Sequence, residues 1–505
     1  MSGTSEQPDT LEAQRALYQD GKPQVVSTTL VADLDTPVSA YLKLAQGETY
    51  SCLLESVEGG ETRGRYSIIG LRPDIVWRSR GSSVEVCRDY GADGAAFKSV
   101  DEAPLESLRQ LQQESLIDLP HSLPPMAAGL VGYMGYDMVR QMEMLPDAKT
   151  DPLGLATSIF VRPTVMAIFD SVTNLITLVT PVRPKDGVPA DTALAEADKR
   201  LDMMLERLDA PLPLTAGPAS PVFEEPVSNT GQARFHDMVK KAQEYILAGD
   251  IFQVVLSQRF SMPFGLPPFA LYRALRRTNP SPFMYHLAFE DFAIVGSSPE
   301  ILVRLRDDEI TIRPIAGTRK RGATPEEDAA LAADLLADPK ELSEHLMLLD
   351  LGRNDVGRVA KPGSVEVTAR NTIEYYSHVM HIVSNVIGEI DPKYDAIDAL
   401  GAGFPAGTVS GAPKVRAMEI IDELEVDARG PYAGSVGYFS ANGTMDTCIV
   451  LRTAIVKDGQ MHVQAGAGVV ADSDPESEHQ ECQNKARALV TAAKEAVRFA
   501  KSNRG

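Results

Sequence analysis

Two pairs of glutamates have the spacing best suited to chemistry in this 505-residue chain. Glu341 and Glu344 follow Asp338-Pro339, and Glu478 and Glu481 follow Asp474-Pro475. An Asp able to cap a first turn, with Pro at the first helical position, reads as a helix start. Two short acidic helices are therefore expected. Spaced i,i+3, the members of each pair lie on one helical face, one turn apart, where like charges cost about a few tenths of a kcal/mol unless neutralised. Solvated helix surfaces carry such pairs too, but two pairs at matched helix starts point to a shared site. A hard divalent cation, most simply Mg2+, would neutralise them while bridging to a carboxylate or phosphate on a substrate.

Other polar groups sit in apolar company near these helices. The segment Gln464 to Val470 reads as a strand with Gly466 and Gly468, where a ligand can approach the backbone closely, and it leads straight into the second acidic helix. Lys485, seven residues after Glu478, shares that helix's stripe. Gly407 to Lys414 runs into a helix over about 412–424. Ser410 is its candidate N-cap, and the free N–H groups there suit a carboxylate, although a plain loop into a helix reads equally well. The strand Ser377 to Val383 puts His378 and His381 on opposite faces, so only one can face a given pocket, and either could be a hydrogen-bonded, half-buried histidine. On the strand Ile251 to Phe260, Gln253, Val255 and Ser257 share a face. No P-loop or dinucleotide glycine motif is present.

The elements that must position these groups fall into an order. Residues 1–22 read as a flexible tail, 23–209 as an N-terminal region of strands and helices, 210–230 as a proline-rich linker, and 231–498 as the region carrying the chemistry. In the first region strands are expected at 24–31, 50–57, 64–70 and 74–87, with a turn at Gly59-Gly60. A glycine-spaced segment, Leu130 to Tyr136, and a hairpin turning near 171–174 follow, then a helix over about 191–208. The later region opens with a helix over about 232–248, closed by Gly249, and continues in strands paired through short turns. The expected fold is α+β: an antiparallel-rich β-sandwich with helices packed outside. A net charge of −21 excludes nucleic acid and anionic membrane as main partners. Four scattered cysteines with no C-x-x-C argue against zinc or a disulfide framework and fit a cytoplasmic location. No apolar run reaches about 18 residues.

Four motifs occur in order: Pro314-Ile315-Ala316-Gly317-Thr318-Arg319, Leu349 to Asp355, Gly407 to Lys414, and Gln464 to Gly468. Together with Leu53-Leu54-Glu55-Ser56, they resemble the chorismate-utilising enzyme family, closest to its anthranilate-forming large subunits. The resemblance implies that Glu341, Glu344, Glu478 and Glu481 hold magnesium against the ring carboxylate of chorismate. It sets Tyr432, Arg452 and the backbone of Gly466, Ala467 and Gly468 around the enolpyruvyl carboxylate, with Thr408, His381 and Lys485 in the wall and Glu300 as the acid protonating the C4 hydroxyl. Water-adding relatives carry a lysine base where Gln253 stands, and some amine-forming relatives a nucleophilic lysine where Ala316 stands. Neither lysine is present, which leaves ammonia as the nucleophile. With no amidotransferase segment in the chain, the resemblance implies a separate glutaminase subunit as ammonia source. It also implies a tryptophan feedback site from Glu55, Ser56, Pro282, Phe283, Met284, Val436 and Tyr438. The alternatives are aminodeoxychorismate synthesis and a catalytically silent chorismate- or tryptophan-binding subunit.

Overall fold

The chain is described by a computed structural model over residues 10–56, 64–124, 126–146, 148–213, 223–376 and 379–501. Its architecture grows from one antiparallel pair, Tyr66–Arg80 against Ser158–Asp170. The second of these strands is buried at nearly every position, which its Val, Ile and Phe content suits. Two arms of antiparallel sheet extend from the pair. One passes from Ser158–Asp170 through Gly129–Met134, Ser435–Ser440, Met445–Ile449, Ile301–Arg306 and Glu309–Ile312 to Val379–Glu389. The other passes from Tyr66–Arg80 through Ser51–Glu55, Phe283–Ala288, Phe292–Ser298, Thr453–Lys457 and Gln460–Val469 to Gln253–Pro263.

Side chains from both arms meet in a core that includes Tyr133, Tyr285, Ile294 and Val436. Helices pack outside over a larger core with Trp77, Phe235, Tyr272 and Phe439. This is the expected α+β sandwich. Gly132 has a specific reason to be glycine: an added Cβ would stand 2.0 Å from the Ile159 carbonyl oxygen across the strand pair.

The sequence reading needs correction at the N-terminus. Residues 1–9 lie outside the described residues, but Leu11–Gln19 is a helix rather than part of a loose tail. Its Tyr18 is buried with Ala190, Leu194 and Ala197, and Arg15 pairs with Asp191. Tyr18 and the Arg15–Asp191 pair tie it to the helix Ala190–Asp209, with Leu17 half-buried beside them. The strands expected at 64–70 and 74–87 are instead one long strand, Tyr66–Arg80, with a register shift after Pro73, followed by Ser83–Arg88. The turn expected at Gly59-Gly60 lies outside the described residues. The regions 23–209 and 231–498 also share their sheets, since Ser51–Glu55 pairs with Phe283–Ala288 and Gly129–Met134 with Ser435–Ser440. Much of the proline-rich stretch, 214–222, is outside the described residues, and Val227–Ser228 beyond it pairs with Phe260 and Ser261. Among the described residues no helix is long and apolar enough to cross a membrane.

Candidate active site

Both acidic helices start where their Asp-Pro pairs predict. Asp338 accepts hydrogen bonds from the Lys340 and Glu341 N–H groups, and Asp474 from that of Ser477. Neither helix is short, however: they are Pro339–Gly357 and Pro475–Lys501. Their first turns bring Glu341, Glu344, Glu478 and Glu481 into the wall of one cavity of about 590 Å3. Gln253, Glu300, Ala316, His381, Thr408, Tyr432, Arg452, Gly466, Gly468 and Lys485 line the same cavity. Residues more than 200 positions apart thus share one space, of a size suited to a small ligand.

The two glycines bring the floor against neighbouring side chains. A Cβ on Gly466 would lie 2.6 Å from the Tyr432 hydroxyl, and one on Gly468 would lie 2.6 Å from Gln253 Nε2. The strand's two-residue period sends the intervening Ala467 the other way, into the apolar core, so its side chain is not part of the cavity wall. Ser410 is also misassigned from sequence. The helix is Lys414–Leu424 with Pro413 at its N-cap position, and the Ser410 hydroxyl donates to the Ala406 carbonyl at 2.8 Å.

Glu300 is 8% exposed and accepts a hydrogen bond from the Thr408 hydroxyl at 3.0 Å. Burial pushes its carboxyl up to about 7, against the opposing pull of Thr408 and Arg452. His381 Nδ1 lies 3.0 Å from the Thr318 hydroxyl and 3.1 Å from the Gly317 carbonyl oxygen. Burial lowers the His381 value and keeps the ring neutral. Arg452, which lines the cavity, has a left-handed backbone (φ 46°), a strained conformation for a non-glycine residue. Lys485 donates to the Gly466 carbonyl at 2.9 Å and pairs with Glu481 at 2.6 Å. His378 lies outside the described residues.

The four carboxylates differ in their partners. Arg319 pairs with Glu341 at 3.0 Å and Lys485 with Glu481, whereas among the described residues Glu344 and Glu478 have no ion-pair partner. Burial raises the Glu344 and Glu478 values, and neighbouring carboxylates add to the rise: Glu341 and Glu481 at Glu344, Glu481 at Glu478. Gln253 Nε2 donates to Glu344 at 3.3 Å. Uncompensated oxygen donors of this kind fit a hard divalent cation. Among the described residues no three His, Cys, Asp or Glu side chains stand together as a metal cluster.

A second cavity, about 610 Å3, contains all the residues expected around a regulatory ligand: Glu55, Ser56, Pro282, Phe283, Met284, Val436 and Tyr438. The Glu55 carboxylate is already committed, accepting from the Tyr272 hydroxyl at 2.5 Å and from Arg276 at 2.8 and 3.1 Å. Pro299 and Ile315 line both cavities. Sequence reasoning missed the helix Pro268–Thr278 that supplies Tyr272 and Arg276, although its apolar spacing carried the signal. It also missed Leu451 in the first cavity and Arg304, Arg306 and Asp446 in the second, for which no local pattern exists.

This sandwich, with its carboxylate-rich cavity, defines the class: the chain belongs to the chorismate binding enzyme family, matched over residues 72–491. Within that family, anthranilate synthase component 1 of Cereibacter sphaeroides is 57% identical over 491 residues, covering 96% of this chain and 97% of that protein. The protein of the same name from Thermus thermophilus is 48% identical over 464 residues, covering 92% and 96%. The crystal structure of anthranilate synthase component I from Streptococcus pneumoniae superposes with a TM-score of 0.74 at 37% identity, covering 91% of this chain and 99% of that one. MenF, the menaquinone-specific isochorismate synthase of Escherichia coli, shares the fold with a TM-score of 0.70 at 20% identity, over 96% and 98% of the two chains.

Proposed function

We propose that this chain is the large subunit of an anthranilate synthase, converting chorismate and ammonia to anthranilate and pyruvate. The observation that carries the reading is one cavity in which a carboxyl able to hold a proton near neutrality, Glu300, shares the wall with two carboxylate pairs. The names of relatives 48–57% identical over nearly the whole chain support it.

Ammonia adds at C2 of the ring while the C4 hydroxyl departs as water, its proton supplied by Glu300. The product of that step is aminodeoxyisochorismate. Loss of pyruvate, with removal of the C2 proton, then leaves the aromatic amine. Neutral His381, whose value burial lowers, is the available acceptor for a proton shed in this sequence. Arg452 and the Tyr432 hydroxyl meet the enolpyruvyl carboxylate as donors above the glycine floor. Gln253 and Ala316 offer neither a base to activate water nor an amine to form a covalent intermediate, so the nucleophile is ammonia itself. Glu341, Glu344, Glu478 and Glu481 would hold magnesium, which when bound supplies positive charge against the ring carboxylate.

The ammonia comes from a separate glutamine amidotransferase subunit, in keeping with the component 1 name of the relatives. Tryptophan occupies the second cavity as feedback inhibitor. The shared wall at Pro299 and Ile315, adjoining Glu300, gives it a short mechanical path to the catalytic acid.

Product analysis tests the reading. The purified chain, given chorismate, magnesium and ammonium, should release equal amounts of pyruvate and anthranilate. Accumulation of an amine without pyruvate release would indicate aminodeoxychorismate synthesis, and binding without turnover a regulatory subunit.

A further inference from the structure

Directly behind the substrate cavity lies a buried ion pair that takes no part in the reaction just described. Glu425 and Arg429 follow the helix Lys414–Leu424, and their side chains are 3% and 1% exposed. Guanidinium and carboxylate meet at 2.6 and 3.0 Å. A pair this dry is weak evidence for stability, because desolvating both ions offsets much of their attraction. Its remaining bonds point to another role.

Arg429 Nη1 donates to the Val409 carbonyl at 2.7 Å, and Nη2 to the Val255 carbonyl at 2.6 Å. The guanidinium also lies over the Tyr432 ring, 5.5 Å from its centroid. Glu425 accepts from the N–H and hydroxyl of Ser257 at 2.7 and 2.8 Å, and the Ser257 hydroxyl accepts from Gln464 at 2.8 Å. Val255, Val409, Tyr432 and Gln464 all line the substrate cavity, and they come from four separate segments of chain. Val409 adjoins Thr408, whose hydroxyl holds Glu300.

We propose that Arg429 and Glu425 are positioning residues: one buried pair sets where four parts of the cavity wall stand, without touching the substrate. The fork of a guanidinium allows this. It presents donors to two carbonyls and a carboxylate at once, which the three donors of an ammonium, clustered at one point, cannot span. The inference rests on chorismate occupying this cavity, and turnover by the unaltered chain tests that separately.

The test compares Arg429→Lys and Ser257→Ala with a control, Arg162→Lys. Arg162 is also buried and ion-paired, with the half-buried Asp74 and with Glu114, but on a strand away from the cavity. Arg429→Lys should raise KM for chorismate about tenfold with kcat changed much less, the signature of lost ground-state binding. Ser257→Ala should raise KM about threefold. Arg162→Lys should lower the thermal midpoint yet leave KM unaltered. An unchanged KM in Arg429→Lys, or an equal rise in the control, would overturn the proposal. If Arg429→Lys fails to fold, Ser257→Ala decides alone, and a normal KM there overturns it. Absence of chorismate turnover in the unaltered chain would instead overturn the functional reading, whatever the ratios between variants.

Discussion

Replacing Glu300 by glutamine should cut kcat severely and make the protein more stable, and the second effect should depend on pH. Burial lifts this carboxyl from 4.5 to about 7. At about 1.4 kcal/mol per pH unit, holding the charged form in the fold costs on the order of 3 kcal/mol. Below pH 4.5 the group is neutral in folded and unfolded chains alike and costs nothing. Between 4.5 and about 7 the unfolded chain ionises while the folded one holds its proton, so stability falls as pH rises. Above about 7 the cost is complete. Glutamine never ionises, and its carbonyl can still accept from the Thr408 hydroxyl. The thermal midpoint of Glu300→Gln should therefore match the parent near pH 4.5 and exceed it by about 2–4 °C at pH 8. Its kcat should fall on the order of 10²–10⁴-fold, the usual contribution of a general acid. A midpoint difference that does not change with pH, or near-normal kcat, would refute the assignment of Glu300 as a buried acid.

The carboxylate pairs make a metal prediction with a readout besides activity. Glu344→Gln and Glu478→Gln should each lose the rise in thermal midpoint that magnesium gives the parent, and lose turnover with it. Gly466→Ala should raise KM for chorismate about tenfold, because the new methyl meets the Tyr432 hydroxyl at 2.6 Å; steady-state kinetics check this. Ser56→Phe should fill part of the second cavity and relieve tryptophan inhibition with little change in kcat, as inhibition curves at fixed chorismate would show.

What was legible in the sequence was whatever local rules specify. The Asp-Pro helix starts are encoded within four residues, so Glu341, Glu344, Glu478 and Glu481 were placed on the correct faces. The glycine strand's alternation puts Gly466 and Gly468 on one side and the Ala467 side chain in the core on the other. Glu300 carries no local mark. Its role depends on burial and on a hydroxyl 108 positions away, and only the family resemblance pointed to it. The pair Glu425–Arg429 was invisible for the same reason: its i,i+4 spacing resembles any surface pair, and only folding shows that four wall segments converge on it. At Ser410 a polar residue with cap propensity was misread, because the following Pro413 sets where the helix begins. The N-terminal helix escapes local rules because its docking rests on residues far along the chain: Tyr18 against Ala190, Leu194 and Ala197, and Arg15 with Asp191.

The most direct measurement supplies the chain alone with chorismate and magnesium, varies the nitrogen source, and reads anthranilate fluorescence. Ammonium salts should support turnover, with a rate that rises with pH as more of the pool becomes free ammonia, until loss of the Glu300 proton above about 7 opposes it. Glutamine alone should give none, and adding a glutamine amidotransferase subunit should confer glutamine-dependent turnover. Anthranilate formed from glutamine by the isolated chain, or none formed from ammonium at any pH, would contradict the account.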